Sequence, residues 1–334
     1  MVPARTSAGT LSPAARRLVE AGVPAETRKA YQADIRQYKI WCDEKCIQPF
    51  PCSPETLADY AAYLIDALGL APVSVERARW AIIKCHRLSG YPPPDTSGFV
   101  AALKGYRARL AESGDPKAVP RKATPANRDA LTAMMGAIDR TRPKGQRDAA
   151  MILLGFGIGA RRSELASLDI SSITVTDRGI QVRVYRKKTR LMDDPVIRFQ
   201  ANTVLCPARA TVRWMEYLRG PGGRTSGPLF VRLNRWYELA PPMTRDGRPI
   251  GSADGRLTGQ AVGNIIRATA RLAALEGQWT GHSLRRGLAT SMHEAGQDRR
   301  LIERQGGWTA GSRAVSGYIE DADRWLNDVL AGVL

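Results

Sequence analysis

Residues Trp279 to Asp321 read WTGHSLRRGLATSMHEAGQDRRLIERQGGWTAGSRAVSGYIED. The whole chain has three histidines, and this stretch holds two of them, His282 and His293. Gly281-His282-Ser283 reads as the end of a loop, with Ser283 as N-cap of a helix opening at Leu284-Arg285-Arg286. A helix N-terminus offers free backbone N–H groups and the positive end of its dipole, and both favour an anion. His282 and Arg285 placed there make a pocket for a phosphate, because an Arg fork holds two phosphate oxygens at once. Tyr318 falls on a separate short helix, from which its hydroxyl can be delivered to that phosphate.

Around this stretch lie 334 residues, long enough for two domains with a core each. Hydrophobic content of 43% and charged content of 25% are ordinary for a globular protein. The formal net charge of +18 and the pI near 10.2 are not, and they point to a polyanionic partner, most simply nucleic acid. The five cysteines form no disulfide framework in a chain this long, and the pattern expects reduced thiols in a cytoplasmic protein. Cys42 and Cys46, spaced i, i+4 on a helix, have no second Cys/His pair to complete a zinc site. The longest apolar run, Ala149 to Gly159, is too short to span a bilayer, and no secretory signal is visible.

Three regions follow from composition. Residues 1–22, rich in Ala, Pro and Ser, read as a flexible arm. Residues 23–116 read as an all-helical domain. Its helices span about Pro24 to Lys45, Ser53 onward, Pro72 to Ser89 and Thr96 to Glu112, each with an apolar stripe. Arg36, Lys39, Arg77, Lys84 and Arg87 lie off those stripes, where they can face a phosphate backbone. Arg121 and Lys122 sit in the Gly/Pro/Lys linker Ser113 to Thr124. Residues 117–334 read as a mixed α+β domain with a small antiparallel sheet. Strands are expected at Ile173–Thr176, Ile180–Arg186 and Pro195–Phe199, and the basic turn Arg186 to Arg190 projects a lysine. Leu233 to Leu257 reads as a long loop. The fold class is therefore two-domain and mainly α.

Gly155-Phe156-Gly157-Ile158-Gly159 follows a helix rather than a strand, so it does not read as a dinucleotide site. The residues that carry chemistry are, in order, Arg161, Glu164, Lys188, His282, Arg285, Trp308 and Tyr318. Taken alone, each reads as an ordinary surface, loop or core residue. Taken together, Gly159-Ala160-Arg161-Arg162-Ser163-Glu164-Leu165, Lys188-Thr189, His282-Ser283-Leu284-Arg285, Gly306-Gly307-Trp308-Thr309 and Tyr318 resemble the tyrosine recombinase (phage integrase) family, nearest its Cre-like members. The resemblance implies that Arg161, rather than Arg162, is catalytic. It covers nearly the whole chain, since Trp41-Cys42 and His86 to Gly90 resemble the family's helical core-binding domain. Trp308 to Tyr318 runs one residue longer than the family pattern, an insertion expected at Ala310 to Arg313.

What the resemblance implies is a site-specific DNA recombinase working through a 3′-phosphotyrosyl intermediate. Arg161 and Arg285 would neutralise the charge of the transition state, and His282 and Trp308 would hydrogen-bond to it. Tyr318 would be the nucleophile, His282 its proton acceptor and Lys188 the general acid for the leaving 5′ oxygen. Glu164 would orient the Arg/His group. These cations supply the charge, so neither cofactor nor metal is expected. The implied partners are double-stranded DNA with a specific recombination site and further copies of the chain. The chain would be a monomer free in solution and a homo-tetramer on two DNA sites, and its last helix, with Trp325, Leu326, Val329 and Leu330 on one face, would dock into a neighbour. Two other readings stay open: a type IB topoisomerase-like or hairpin-forming resolvase, and a basic DNA-binding protein that does not cut. His86 and His293 lack supporting neighbours in sequence and read as helix-face residues, His86 at most contacting DNA.

Overall fold

A computed structural model describes residues 25–119 and 121–326, together with 12–14, 17, 18 and 22. Most of the expected arm lies outside the described residues, as do Val329, Leu330 and the side chains of Trp325 and Leu326, on which the interprotomer helix was to rest. The chain divides into two compact units, Met1–Arg121 and Lys122–Leu334, inside the Ser113 to Thr124 linker. The molecule is mainly helical with small antiparallel sheets, as its patterning implies. No helix among the described residues is long and apolar enough to cross a membrane.

The first unit is helical throughout: α1 (Ala25–Glu44), α2 (Pro54–Ala62), α3 (Pro72–Leu88) and α4 (Ser97–Glu112). Ser53 caps α2 by accepting the Thr56 N–H, and Pro54 takes the first helical position, where its missing donor costs nothing. Tyr38, Trp41, Tyr60 and Phe99 are buried at the centre, with the Tyr38 and Tyr60 rings 4.9 Å apart and edge to face. His86 belongs to this core rather than to a surface. It is 1% exposed, its Nδ1 faces the Ile82 carbonyl, and its Nε2 accepts the Cys52 N–H. Cys46 lies beyond the end of α1 with φ +54°, so Cys42 and Cys46 do not share a helix face.

The second unit is built around α6 (Pro143–Gly157), whose segment Ala149 to Gly155 is wholly buried. Around it pack α5 (Arg128–Ala137), α7 (Arg162–Ala166), α8 (Pro207–Arg219), α9 (Gly259–Leu272) and α10 (Gly281–Glu294). Strands β1 (Ile173–Thr176), β2 (Gly179–Val182) and β5 (Val196–Arg198) form an antiparallel sheet pairing Ile173 with Val182 and Ile180 with Ile197. The expected strand Ile180–Arg186 is broken at Arg183. Its second half, β3 (Val184–Arg186), leaves that sheet and pairs with β4 (Leu191–Asp193) as a separate hairpin. The expected loop Leu233 to Leu257 also holds a hairpin, β6 (Met243–Arg245) with β7 (Arg248–Ile250). Last come α11 (Arg299–Gly306) and α12 (Arg313–Leu326), so Tyr318 rides on a 14-residue helix rather than a short one.

Candidate active site

The first turn of α10 differs from its expected form. Thr280, not Ser283, is the N-cap: its hydroxyl accepts the His282 N–H at 3.1 Å, and the Ser283 hydroxyl accepts the Thr280 N–H at 3.0 Å. This reciprocal pair satisfies two backbone donors, and it starts the helix three residues earlier. His282 and Arg285 therefore both stand within the opening turns of α10.

Arg285 is 2% exposed and enters the space where the end of α6, α7 and α11 meet. Its Nη1 donates to the carbonyls of Gly159 and Gly306. Its guanidinium lies over the Trp308 ring, 3.8 Å from the ring centre. Its Nη2 is buried and has no hydrogen-bond partner among the described residues. Burial, with Arg161 nearby, pushes its pKa down to about 9, so it stays charged at neutral pH. A buried cation with a free donor is costly unless an anion completes it.

Arg161 and Arg162 part company at the start of α7. Arg161 turns to Glu164, donating both its backbone N–H, at 3.0 Å, and its Nη1 to that carboxylate. Arg162 points away and donates to Gln260 at 3.1 Å. Glu164 is completely buried, and it meets Arg186, at 3.4 Å, on its other side. Arg186, 1% exposed, also donates to Asp193 at 2.9 Å and to the Ile158 carbonyl at 3.0 Å. It was read in sequence as one more basic turn residue. It is instead the buried strut joining the β3–β4 hairpin to α7. Nothing in its local sequence marks it; the one signal is period, since Val182, Val184 and Arg186 alternate with exposed positions.

His282 sits beside this group. Its imidazole is held below the ordinary histidine range by desolvation and then by the positive charges of Arg285, Arg161 and Arg162, with Glu164 opposing. The ring still presents exposed surface. Lys188 is exposed in the turn of the β3–β4 hairpin, two residues after Arg186, and among the described residues no hydrogen bond or ion pair holds its amine.

Gly306 and Gly307 make room for the ring and the strut. A Cβ on Gly306 would sit 1.8 Å from the Trp308 ring. Gly307 closes α11 in the left-handed conformation (φ +61°), and a Cβ there would meet Arg186 Nε at 2.3 Å. Trp308 and Tyr318 meet edge to face at 6.3 Å, and the Arg286 guanidinium lies 5.9 Å from the Tyr318 ring centre. The connector between them is held by Glu303, a residue that sequence reading passed over. Its carboxylate accepts from the Gly311 and Ser312 N–H groups at 3.2 and 3.0 Å and from Arg299 at 3.0 Å, while its carbonyl accepts the Trp308 N–H at 2.8 Å. Against its burial, those donors hold the carboxyl below its usual pKa range. The helix bearing Tyr318 is pinned to α10 by Val315, by Asp321 to Arg286 at 2.7 Å, and by Asp323 to His293 at 2.6 Å.

The basic residues expected on DNA divide into two kinds. Arg36, Lys39, Arg87 and Arg121 are exposed. Arg77 is bound by both its nitrogens to Asp34, Lys84 lies over the Tyr31 ring, and Lys122 pairs with Asp321 at 2.6 Å.

The second unit thus gathers two buried or half-buried guanidinium groups, an imidazole, an indole and a phenol around one free donor. The phage integrase family model matches residues 127–324, more than half of the chain and the whole span from Arg161 to Tyr318. The chain belongs to the phage integrase family of tyrosine recombinases, enzymes that transfer DNA strands. It is 28% identical over 327 residues to an integrase/recombinase XerD homolog of Selenomonas ruminantium, covering 96% of this chain and 89% of that one. It is also 28% identical over 307 residues to recombinase Cre of Escherichia phage P1, covering 89% and 84%. Among solved structures, a lambda integrase dimer bound to a COC′ core site superposes with a TM-score of 0.58 at 14% identity, covering 92% of this chain and 93% of that one. The Tn1549 transposon integrase bound to transposon right-end DNA gives 0.53 at 16% identity, covering 95% and 98%. At such identities the last two speak to the fold alone.

Proposed function

We propose that the chain is a site-specific recombinase that cuts and rejoins DNA through a covalent bond between Tyr318 and a 3′ phosphate. The observation that carries this reading is the buried Arg285, whose unpartnered Nη2 sits beside Arg161 and His282 and whose stacking partner Trp308 touches Tyr318. A phosphodiester phosphorus has two non-bridging oxygens, and its transition state gathers charge on them. Arg285 and Arg161 neutralise that charge, and the Trp308 indole N–H and a His282 ring N–H donate hydrogen bonds to it. Tyr318 Oη attacks the phosphorus, the bond to the 5′ oxygen breaks, and the phenolic proton passes to a neutral His282. The departing 5′ oxygen takes a proton from Lys188, presented by the turn of its hairpin. Glu164 and Arg186 position Arg161. The phosphotyrosyl bond conserves the energy of the broken one, so a second 5′ hydroxyl rejoins the strand without ATP.

The first unit, with Arg36, Lys39, Arg77, Lys84 and Arg87, supplies the DNA-binding domain, and Lys122–Leu334 the catalytic one. Four copies on two DNA sites give the paired exchange that recombination requires. The test is covalent trapping. The protein is incubated with duplex DNA flanking its own gene, with chelator, then denatured and run on a gel. An adduct mapping to Tyr318, absent in Tyr318→Phe with DNA binding retained, supports the reading. An adduct that persists in Tyr318→Phe sinks the nucleophile assignment.

A further inference from the structure

The β6–β7 ribbon is unlike the rest of the unit. All six strand residues are exposed. Its turn, Asp246-Gly247, has both φ angles positive (+51° and +71°), the geometry that Asp-Gly favours in a tight two-residue hairpin. In this register Arg245 stands directly opposite Arg248. Like charges in that position destabilise a ribbon, and neither guanidinium has a hydrogen bond or ion pair among the described residues. Among the described residues nothing compensates the pairing of these two side chains.

The ribbon is nevertheless rigidly rooted. Arg232 donates to the carbonyls of Ile250 and Ser252 at 3.1 and 3.0 Å, fastening the end of β7. Beyond it, Arg256 donates to the Ala166 and Leu168 carbonyls and to Asp169, and Gln260 receives Arg162. The C-terminal stem of the ribbon is thus bonded to α7, the helix that presents Arg161. At its other stem Arg235 stacks over Trp236, which is 64% exposed, with the guanidinium 4.1 Å from the ring centre.

We propose that this ribbon is a clamp for the phosphate backbone of duplex DNA, with Arg245 and Arg248 each taking a phosphate and Arg235 a third position. The proposal rests on the DNA reading given above. A cross-strand arginine pair is stable once anions lie between the two cations. Pro249 lacks a backbone donor in the middle of β7, so that edge of the ribbon is a poor template for adding another strand. Its occupant is therefore a polyanion met through side chains, not a second copy of the chain paired edge to edge.

The experiment uses the full chain and linear mixed-sequence duplex DNA. Affinity is measured over a range of salt for the parent, for R245Q/R248Q and for R245K/R248K. Each phosphate contact contributes about 0.9 to the slope of log affinity against log salt. Loss of both contacts in the glutamine variant flattens that slope by about 1.8, and the lysine variant keeps it. A second measurement needs no variant: amide hydrogen exchange at residues 243–250 of the parent slows when duplex is added. An unchanged slope with unchanged exchange overturns the clamp while leaving the recombinase reading intact. A parent chain that does not bind duplex at all overturns both. A glutamine variant that instead changes self-association, with the salt slope intact, also overturns the clamp and assigns the ribbon to a second copy.

Discussion

The guanidinium of Arg285 lies over the indole of Trp308, 3.8 Å from its centre, and the same indole meets the Tyr318 ring edge-on at 6.3 Å. One aromatic ring therefore connects the buried cation of α10 to the phenol of α12. The arrangement separates effects on charge from effects on delivery, and the predictions below use that separation.

Trp308→Ala removes the platform under Arg285. A cation–π contact in a desolvated setting contributes about 2 kcal/mol. A comparable loss in the transition state slows adduct formation by about thirtyfold. Single-turnover trapping measures it, with duplex affinity unchanged. A drop in affinity equal to the drop in rate would place Trp308 in ground-state binding instead.

Arg186→Met and Lys188→Ala should behave as opposites despite lying two residues apart. Arg186 is 1% exposed between Glu164 and Asp193, so its removal takes from the buried Glu164 one of its two cationic partners and lowers stability by up to about 3–5 kcal/mol. Lys188 is exposed and has no partner among the described residues, so Lys188→Ala melts as the parent does, but it cleaves about 10²–10⁴ times more slowly. A substrate whose leaving 5′ oxygen is replaced by sulfur needs no acid. It should restore cleavage by Lys188→Ala and not by Arg285→Ala. If sulfur rescues neither, Lys188 is not the acid.

The pH dependence has a definite sign. His282 is depressed by desolvation and three arginines, and His86 by desolvation in the first core. A histidine whose folded pKa lies below its unfolded value binds more protons when unfolded. The stability it contributes is complete above the unfolded pKa of about 6.5 and is lost as pH falls through the folded value. Melting temperature should therefore decline below about pH 6.5, and His282→Gln should shallow that decline. Adduct formation should also fall with acid, since protonated His282 cannot take the Tyr318 proton. An acid limb unchanged in His282→Gln assigns the proton acceptor elsewhere.

Glu303→Ala releases the Gly311 and Ser312 amides and Arg299 together, while leaving every residue that faces the phosphate in place. Misplacement of a nucleophile by about 1 Å costs about a hundredfold. Adduct formation should fall by that order with DNA affinity retained, and amide exchange should quicken over residues 309–316. Glu303→Gln, which keeps one acceptor, should recover part of the rate. Unchanged exchange in the alanine variant would remove Glu303 from any role in delivery.

Much of this was legible from residue order. Apolar periodicity marked the helices, because burying one face of a helix requires it, and Ser53 stands in sequence at the start of the helix that it caps. The candidate site could be collected from sequence because chemistry restricts residue types: only a few side chains carry, accept or give up charge at a phosphate. Arg161 could be separated from Arg162 only through family resemblance, and the geometry that distinguishes them is the turn of one toward Glu164 and the other toward Gln260.

Other features came from tertiary structure alone. Arg186 and Glu303 carry no local mark, because their partners lie elsewhere in the chain: Glu164 and Gln305 for the first, Gly311 and Ser312 for the second. The β6–β7 ribbon was missed because short exposed strands have no buried face to impose alternation, and the break at Arg183 was missed because the alternation of buried Val182, Val184 and Arg186 runs straight through it. Thr280 displaced Ser283 as N-cap because two hydroxyls three residues apart can each cap, and here Thr280 accepts the His282 N–H while Ser283 accepts the Thr280 N–H from inside the helix. Sequence by itself determined where the helices form and which residue types can handle a phosphate, since both follow from local periodicity and side-chain chemistry. Only the tertiary structure decided which charges are buried, which are already paired and which donor is left free, because those depend on neighbours distant in the chain.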